Sequence, residues 1–126
     1  MQIGIIGLGR MGANIARRLM KNGHQVVGYD ASAAAVKALE GATGATSLED
    51  MVGKLAAPRH IWVMLPAGKI TEDTIARLGT LLSSDDCVID GGNSFFKDDV
   101  RRAHALAEKG IAYLDVGTSG DRKSVV

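Results

Sequence analysis

Ile3-Gly4-Ile5-Ile6-Gly7-Leu8-Gly9-Arg10-Met11-Gly12 opens the chain two residues after Met1. An apolar run passes directly into three glycines spaced G-x-G-x-x-G, and a helical pattern follows without a gap. This succession of strand, glycine turn and helix is what a dinucleotide-binding βαβ unit requires. Gly7 permits a tight strand-to-helix turn, Gly9 lets the backbone approach a pyrophosphate, and Gly12 lets the helix pack on the first strand. Leu8, Arg10 and Met11 complete the turn. The helix start offers free N–H groups and the positive end of its dipole to phosphate. Met11, Ile15 and Leu19 recur every four residues as the expected inward stripe, opposite Asn14, Arg17, Arg18 and Lys21. Asn22-Gly23 supplies the helix stop.

Asp30 ends the next strand-like run, Gln25-Val26-Val27-Gly28-Tyr29, 18 residues after Gly12. A carboxylate there accepts hydrogen bonds from ribose hydroxyls and repels a 2′-phosphate. Ala31 and Ser32 offer no cation to receive that phosphate, so NAD is favoured over NADP as the cofactor. The same acid would also suit a helix cap.

The chain has 126 residues, enough for about one domain with a substantial core. Fifteen basic residues against 14 acidic ones give no field for nucleic acid or membrane. Arg17-Arg18 and Arg101-Arg102 read as solvated helix faces. Cys87 is the only cysteine, so an internal disulfide is excluded, in keeping with a reducing cytoplasm. It lies in an apolar run and is expected to be a small buried residue. His24, His60 and His104 lack ligand-like spacing, and no metal site is expected. Neither a signal peptide nor a membrane span is visible.

Strand and helix patterns alternate along the chain, which predicts an α/β fold of the Rossmann type: a doubly wound, mainly parallel sheet of about six strands with helices on both faces. Residues 31–40 read as a helix with Val36 and Leu39 inward, 41–46 as a loop holding a short third strand, and 47–55 as a capped helix. His60 to Leu65 is apolar enough for a strand buried on both faces. A helix beginning at Thr71-Glu72-Asp73 carries Ile75, Leu78 and Leu82, and Cys87 to Ile89 or Asp90 forms strand five. The last helix has Asp98 and Asp99 early, Val100, Ala103 and Leu106 inward, and Gly110 as its stop; Ala112 to Val116 is strand six.

Ligands of open α/β sheets collect beyond the carboxyl ends of the strands. Besides the glycine turn, three segments fall there: Leu65-Pro66-Ala67-Gly68, Asp90-Gly91-Gly92-Asn93-Ser94 and Gly117-Thr118-Ser119-Gly120. Asn93 can donate and accept hydrogen bonds, and Ser119 offers a hydroxyl. Together with Ile5 to Gly12, Val63 to Gly68 and Asp115 to Gly120, the Asp-Gly-Gly-Asn-Ser stretch resembles the decarboxylating 6-phosphogluconate dehydrogenases of the β-hydroxyacid dehydrogenase superfamily. Sister enzymes acting on hydroxyisobutyrate or tartronate semialdehyde carry Ser-Thr in place of Asn-Ser. Gly9 and Asp30-Ala31-Ser32 resemble the NAD-preferring branch.

The resemblance implies oxidation of a sugar-acid phosphate, 6-phosphogluconate, at C3, with loss of carbon dioxide to give ribulose 5-phosphate. It implies that Asn93 touches both substrate and the nicotinamide side, as the one supporting catalytic residue in the chain. It further implies that Ser119 and Gly120 hold the substrate, and that Leu65, Pro66 and Ala67 line the cofactor. The match covers residues 1–120, expected as the NAD-binding domain; residues 121–126 depart from the pattern, with Asp121 where a second glycine is expected. The resemblance implies that the family's general-base lysine and general-acid glutamate lie beyond this point, in a helical substrate domain expected to be absent from residues 1–126. A missing base commonly costs roughly 10²–10⁴ in rate, so a truncated chain that binds NAD without turnover is expected. Full-length relatives of this type are expected to be homo-oligomers, mainly through the missing domain. Two other readings remain, a sister β-hydroxyacid dehydrogenase and a stand-alone NAD-binding module.

Overall fold

A computed structural model describes residues 2–65, 68–91 and 96–115. The elements alternate strictly: β1 (Gln2–Ile6), α1 (Arg10–Lys21), β2 (Gln25–Tyr29), α2 (Ala33–Ala38), β3 (Thr43–Gly44), α3 (Leu48–Lys54), β4 (His60–Val63), α4 (Lys69–Leu81), β5 (Cys87–Asp90), α5 (Phe96–Ala107) and β6 (Ala112–Asp115). The six strands form one sheet in the order β3-β2-β1-β4-β5-β6, and every pairing is parallel. This is the doubly wound order with its topological switch between β1 and β4, where open α/β sheets bind ligands.

Two apolar layers sandwich the sheet. Alternation along β1 assigns its side chains: Ile3 and Ile5 join Leu8, Ala16, Val26 and Leu39 beneath α1 and α2. Ile6 joins Val27, Met51, Val52, Ile61, Val63, Ile75, Leu78, Val88 and Leu106 beneath α3, α4 and α5. With both faces covered, a central strand must be apolar on both, which explains the unbroken Ile-rich run of β1.

Local signals set the helix ends. Ser47 Oγ accepts the Asp50 N–H at 3.0 Å and Ser32 Oγ accepts the Ala35 N–H at 3.3 Å, capping α3 and α2. Gly23 and Gly110, at φ 88° and 76°, lie in the left-handed region just after α1 and α5.

Four details differ from the sequence reading. Met11 is 50% exposed; Ile15 and Leu19 of the expected stripe pack half-buried against the apolar layer, and the buried residues of α1 are Gly12 and Ala16. Close approach of helix to sheet selects the smallest side chains rather than the most apolar. β4 ends at Val63, and only Ile61 and Val63 are buried, His60 and Trp62 being half-buried. α4 starts at Lys69, two residues before Thr71. Cys87 is half-buried, and the loss of hydration there pushes its thiol pKa up. Leu106 is buried as expected, whereas the side chains of Asp98, Asp99 and Val100 lie outside those described.

Candidate functional site

Backbone hydrogen bonds carry the sheet past its strand ends and stitch the carboxyl-edge turns together. The Gly7 N–H donates to the Tyr29 carbonyl at 2.9 Å, the Met64 N–H to the Ile6 carbonyl at 2.7 Å, and the Gly91 N–H to the Val63 carbonyl at 2.9 Å. The glycine turn is thereby flanked by the end of β2 on one side and the end of β4 on the other. Gly7, Leu8, Gly9, Arg10, Met11, Gly12, Asp30 and Leu65 fall at this edge, as the sequence predicts. Pro66, Ala67, Asn93, Ser119 and Gly120 lie outside the described residues.

The three glycines are under different constraints. Gly7 has φ 94°, and a Cβ there would stand 2.5 Å from the Met64 carbonyl oxygen. A Cβ at Gly12 would stand 1.9 Å from the Gly7 carbonyl oxygen. Both positions exclude a side chain on packing grounds. Gly9 is exposed, and a Cβ there would meet nothing within 4 Å. No folded neighbour requires glycine at position 9, which is the N-cap of α1. No side chain caps α1 at Gly9, so the first N–H groups of this 12-residue helix are not answered by a capping oxygen.

Asp30 sits against this turn. Its Oδ2 accepts the Leu8 N–H at 2.7 Å and its Oδ1 accepts the Ser32 N–H at 2.8 Å. Asp30 is half-buried, and each carboxylate oxygen keeps acceptor capacity beyond these two bonds. It borders a cleft of about 330 Å³ lined also by Tyr29, Ala31, Val36, Lys37, Ala45 and Thr46. Lys37, from α2, is an exposed cation on this cleft, five residues beyond Ser32 and outside the stretch 31–32 that holds no cation.

At the end of β5, Asp90 is fully buried, and its Oδ2 accepts the Tyr113 hydroxyl at 2.7 Å. This pair ties β5 to β6 just before Gly91. Among the described residues, no three His, Cys, Asp or Glu side chains gather as a metal site. Nor is any described helix long and apolar enough to cross a membrane.

Comparison with known proteins agrees with this geometry. The chain is 48% identical over 122 residues to the NAD(+)-dependent, decarboxylating 6-phosphogluconate dehydrogenase of Haloferax volcanii, covering 95% of this chain and 40% of that one. It is 37% identical to the NADP(+)-dependent, decarboxylating enzyme of Bacillus subtilis, covering 99% of this chain and 28% of the relative. Among solved structures, Plasmodium falciparum 6-phosphogluconate dehydrogenase superposes with a TM-score of 0.85 at 26% identity, over 95% of this chain and 27% of that one. Mycobacterium tuberculosis 3-hydroxyisobutyrate dehydrogenase superposes with a TM-score of 0.84 at 26% identity, over 94% of this chain and 40% of that one. The chain thus spans less than half the length of these relatives. Residues 2–125 match the family described as the NAD binding domain of 6-phosphogluconate dehydrogenase, and the chain belongs to that family.

Proposed function

We propose that the chain is the NAD-binding part of a decarboxylating 6-phosphogluconate dehydrogenase. The observation that carries the cofactor reading is Asp30, a half-buried carboxylate that accepts the Leu8 N–H of the glycine turn and lines an open cleft. Gly9, Arg10, Met11 and Gly12 would hold the pyrophosphate through backbone N–H groups, and Asp30 the adenosine ribose hydroxyls. Gly7 and Leu8 shape the turn, while Leu65, Pro66 and Ala67 line the cofactor further along the edge. Bound NAD supplies the hydride acceptor for oxidation of the substrate's C3 alcohol. Asn93 contacts substrate and the nicotinamide side, and Ser119 with Gly120 holds the sugar-acid phosphate. Proton removal from the alcohol falls to a base outside residues 1–126.

Calorimetric titration with NAD, followed by an assay with NAD and 6-phosphogluconate, tests this reading. Saturable NAD binding without turnover is expected. Absence of NAD binding, or turnover by this polypeptide alone, would refute it.

NADP is the second reading, and Lys37 favours it, because this exposed cationic residue lines the cleft that Asp30 also lines and can meet a 2′-phosphate. Against it stands Asp30 itself, whose charge repels that phosphate. Lys37→Ala lowers NADP affinity and leaves NAD unchanged if the second reading holds.

A further inference from the structure

We propose that Asp30 is a positioning residue for the phosphate-binding turn as well as a ribose acceptor, acting through the N–H of Leu8. The proposal rests on the chain binding a dinucleotide and adds a role that contact with the ribose does not require.

Leu8 is the residue between the first two glycines, and it is gripped from two directions. Its side chain is 5% exposed and packs over Gly28 of β2, where a Cβ would stand 3.2 Å from Leu8 Cδ1. Its N–H donates to Asp30 Oδ2 at 2.7 Å, a short charge-assisted bond. The neighbouring Gly7 N–H donates to the Tyr29 carbonyl at 2.9 Å. Three contacts from consecutive residues of β2 and its exit thus fix the two residues just ahead of Gly9. A Cβ at Gly9 would meet nothing within 4 Å; its carbonyl accepts the Ala13 N–H at 2.9 Å on the helix side, and Gly7 and Leu8 hold it on the strand side.

The carboxylate is in turn held by the Ser32 N–H on its other oxygen, at 2.8 Å. It is therefore oriented before any ribose arrives. With one oxygen on Leu8 and one on Ser32, the remaining lone pairs still serve the ribose diol. One side chain then couples two affinities: the shape of the pyrophosphate turn and recognition of the ribose. Removing its charge to admit a 2′-phosphate would loosen the turn that every dinucleotide needs. Asparagine retains one acceptor oxygen, enough for Leu8 or Ser32 but not both, so Asp30→Asn falls between the parent and Asp30→Ala.

The test uses ADP and 2′,3′-dideoxy-ADP, which share adenine and diphosphate and differ in the ribose hydroxyls. Calorimetry on the parent, Asp30→Asn, Asp30→Ala and Ser32→Ala gives the affinities, and amide exchange at Leu8 in the ligand-free proteins reports the turn. Asp30→Ala is expected to weaken dideoxy-ADP about tenfold, in line with loss of a hydrogen bond to a charged group, and ADP by more. Asp30→Asn is intermediate, and Leu8 exchange accelerates in the same order. Ser32→Ala, which removes only the cap of α2, leaves both nucleotides within about twofold, in line with the small effect of a local cap change. Equal binding of dideoxy-ADP by the parent and Asp30→Ala, or unchanged Leu8 exchange, would overturn the positioning role while leaving ribose contact intact. Failure of both nucleotides to bind the parent chain would overturn the dinucleotide reading and the positioning role with it.

Discussion

Asp30 and Asp86 occupy opposite edges of the same sheet and are bound in opposite ways. Asp86 precedes β5 at the amino edge and is completely buried. Its oxygens accept the Arg59 N–H at 2.6 Å, the Ser83 N–H at 2.8 Å and the Arg59 guanidinium at 3.1 Å. Arg59 also reaches the Val52 carbonyl through Nε at 3.0 Å. This closed network joins the entries of β4 and β5 to the end of α3. Asp30, at the carboxyl edge, takes two backbone N–H groups and borders an open cleft. A carboxylate whose capacity is filled by the fold serves stability. One held in place with acceptor capacity left over is free to bond a ligand, the role proposed for Asp30.

The largest expected effect is on the closed side. Asp86→Ala leaves a guanidinium and two backbone donors without their acceptor, and should destabilise the chain by about 3–5 kcal/mol, the usual cost of breaking a buried pair. Urea unfolding measures it. A loss below about 1 kcal/mol, the level of an exposed pair, would erase the distinction between the two acids.

On the open side, Asp30→Ala should cost only about 1–2 kcal/mol of stability, with its main effect in nucleotide affinity. If Asp30→Ala unfolds the chain as severely as Asp86→Ala, Asp30 is a structural acid and the comparison fails.

Acid sharpens the contrast. Burial alone would raise the Asp86 pKa, but the Arg59 and Ser83 N–H groups and the Arg59 guanidinium outweigh it and hold the carboxyl below its ordinary 3.8. A folded-state pKa below the unfolded value adds stability that is fully present above the unfolded value and lost as pH falls through the folded one. The parent chain should therefore lose stability below about pH 4 partly through this group, as carboxylates of this kind do. Asp86→Asn, less stable throughout, should show a flatter acid limb in unfolding followed from pH 6 to pH 2. Asp50 is also held low, by the Thr46 N–H and by Lys54, so some slope persists in that variant.

The smallest effect on the fold belongs to Gly9→Ala, which should change stability by less than about 1 kcal/mol, the range of a helix-end glycine substitution. Dinucleotide affinity should nevertheless drop, because the methyl group occupies the space left for phosphate. Gly12→Ala is its control, since its Cβ collides with the Gly7 carbonyl and the fold itself should suffer. Thermal melts with and without NAD separate the two.

Much of this arrangement is legible in the residues. Ile3 to Gly12, the acid at position 30 and the alternation of patterns led to a parallel sheet whose order of strands the structure shows. Local chemistry sufficed there, because turns and caps are set within four or five residues. What escaped the sequence is either long-range or a matter of fit. Nothing local couples Leu8 to Asp30, 22 positions apart, or Arg59 to Asp86, 27 apart. Apolarity alone places Met11 in the core, whereas the closest approach of α1 buries Gly12 and Ala16 and leaves Met11 exposed. Lys37 reaches the cleft from α2 only once the helix is laid against the edge of β2.

On the proposed reading, an open, pre-oriented Asp30 selects the dinucleotide. Paired calorimetric titrations of the unaltered chain with NAD and NADP, at one salt concentration, test it most directly. NAD should bind at least about tenfold more tightly, the factor set by a repelled phosphate and a satisfied ribose diol together. Equal affinities, or tighter binding of NADP, would contradict the claim and pass the governing role to Lys37.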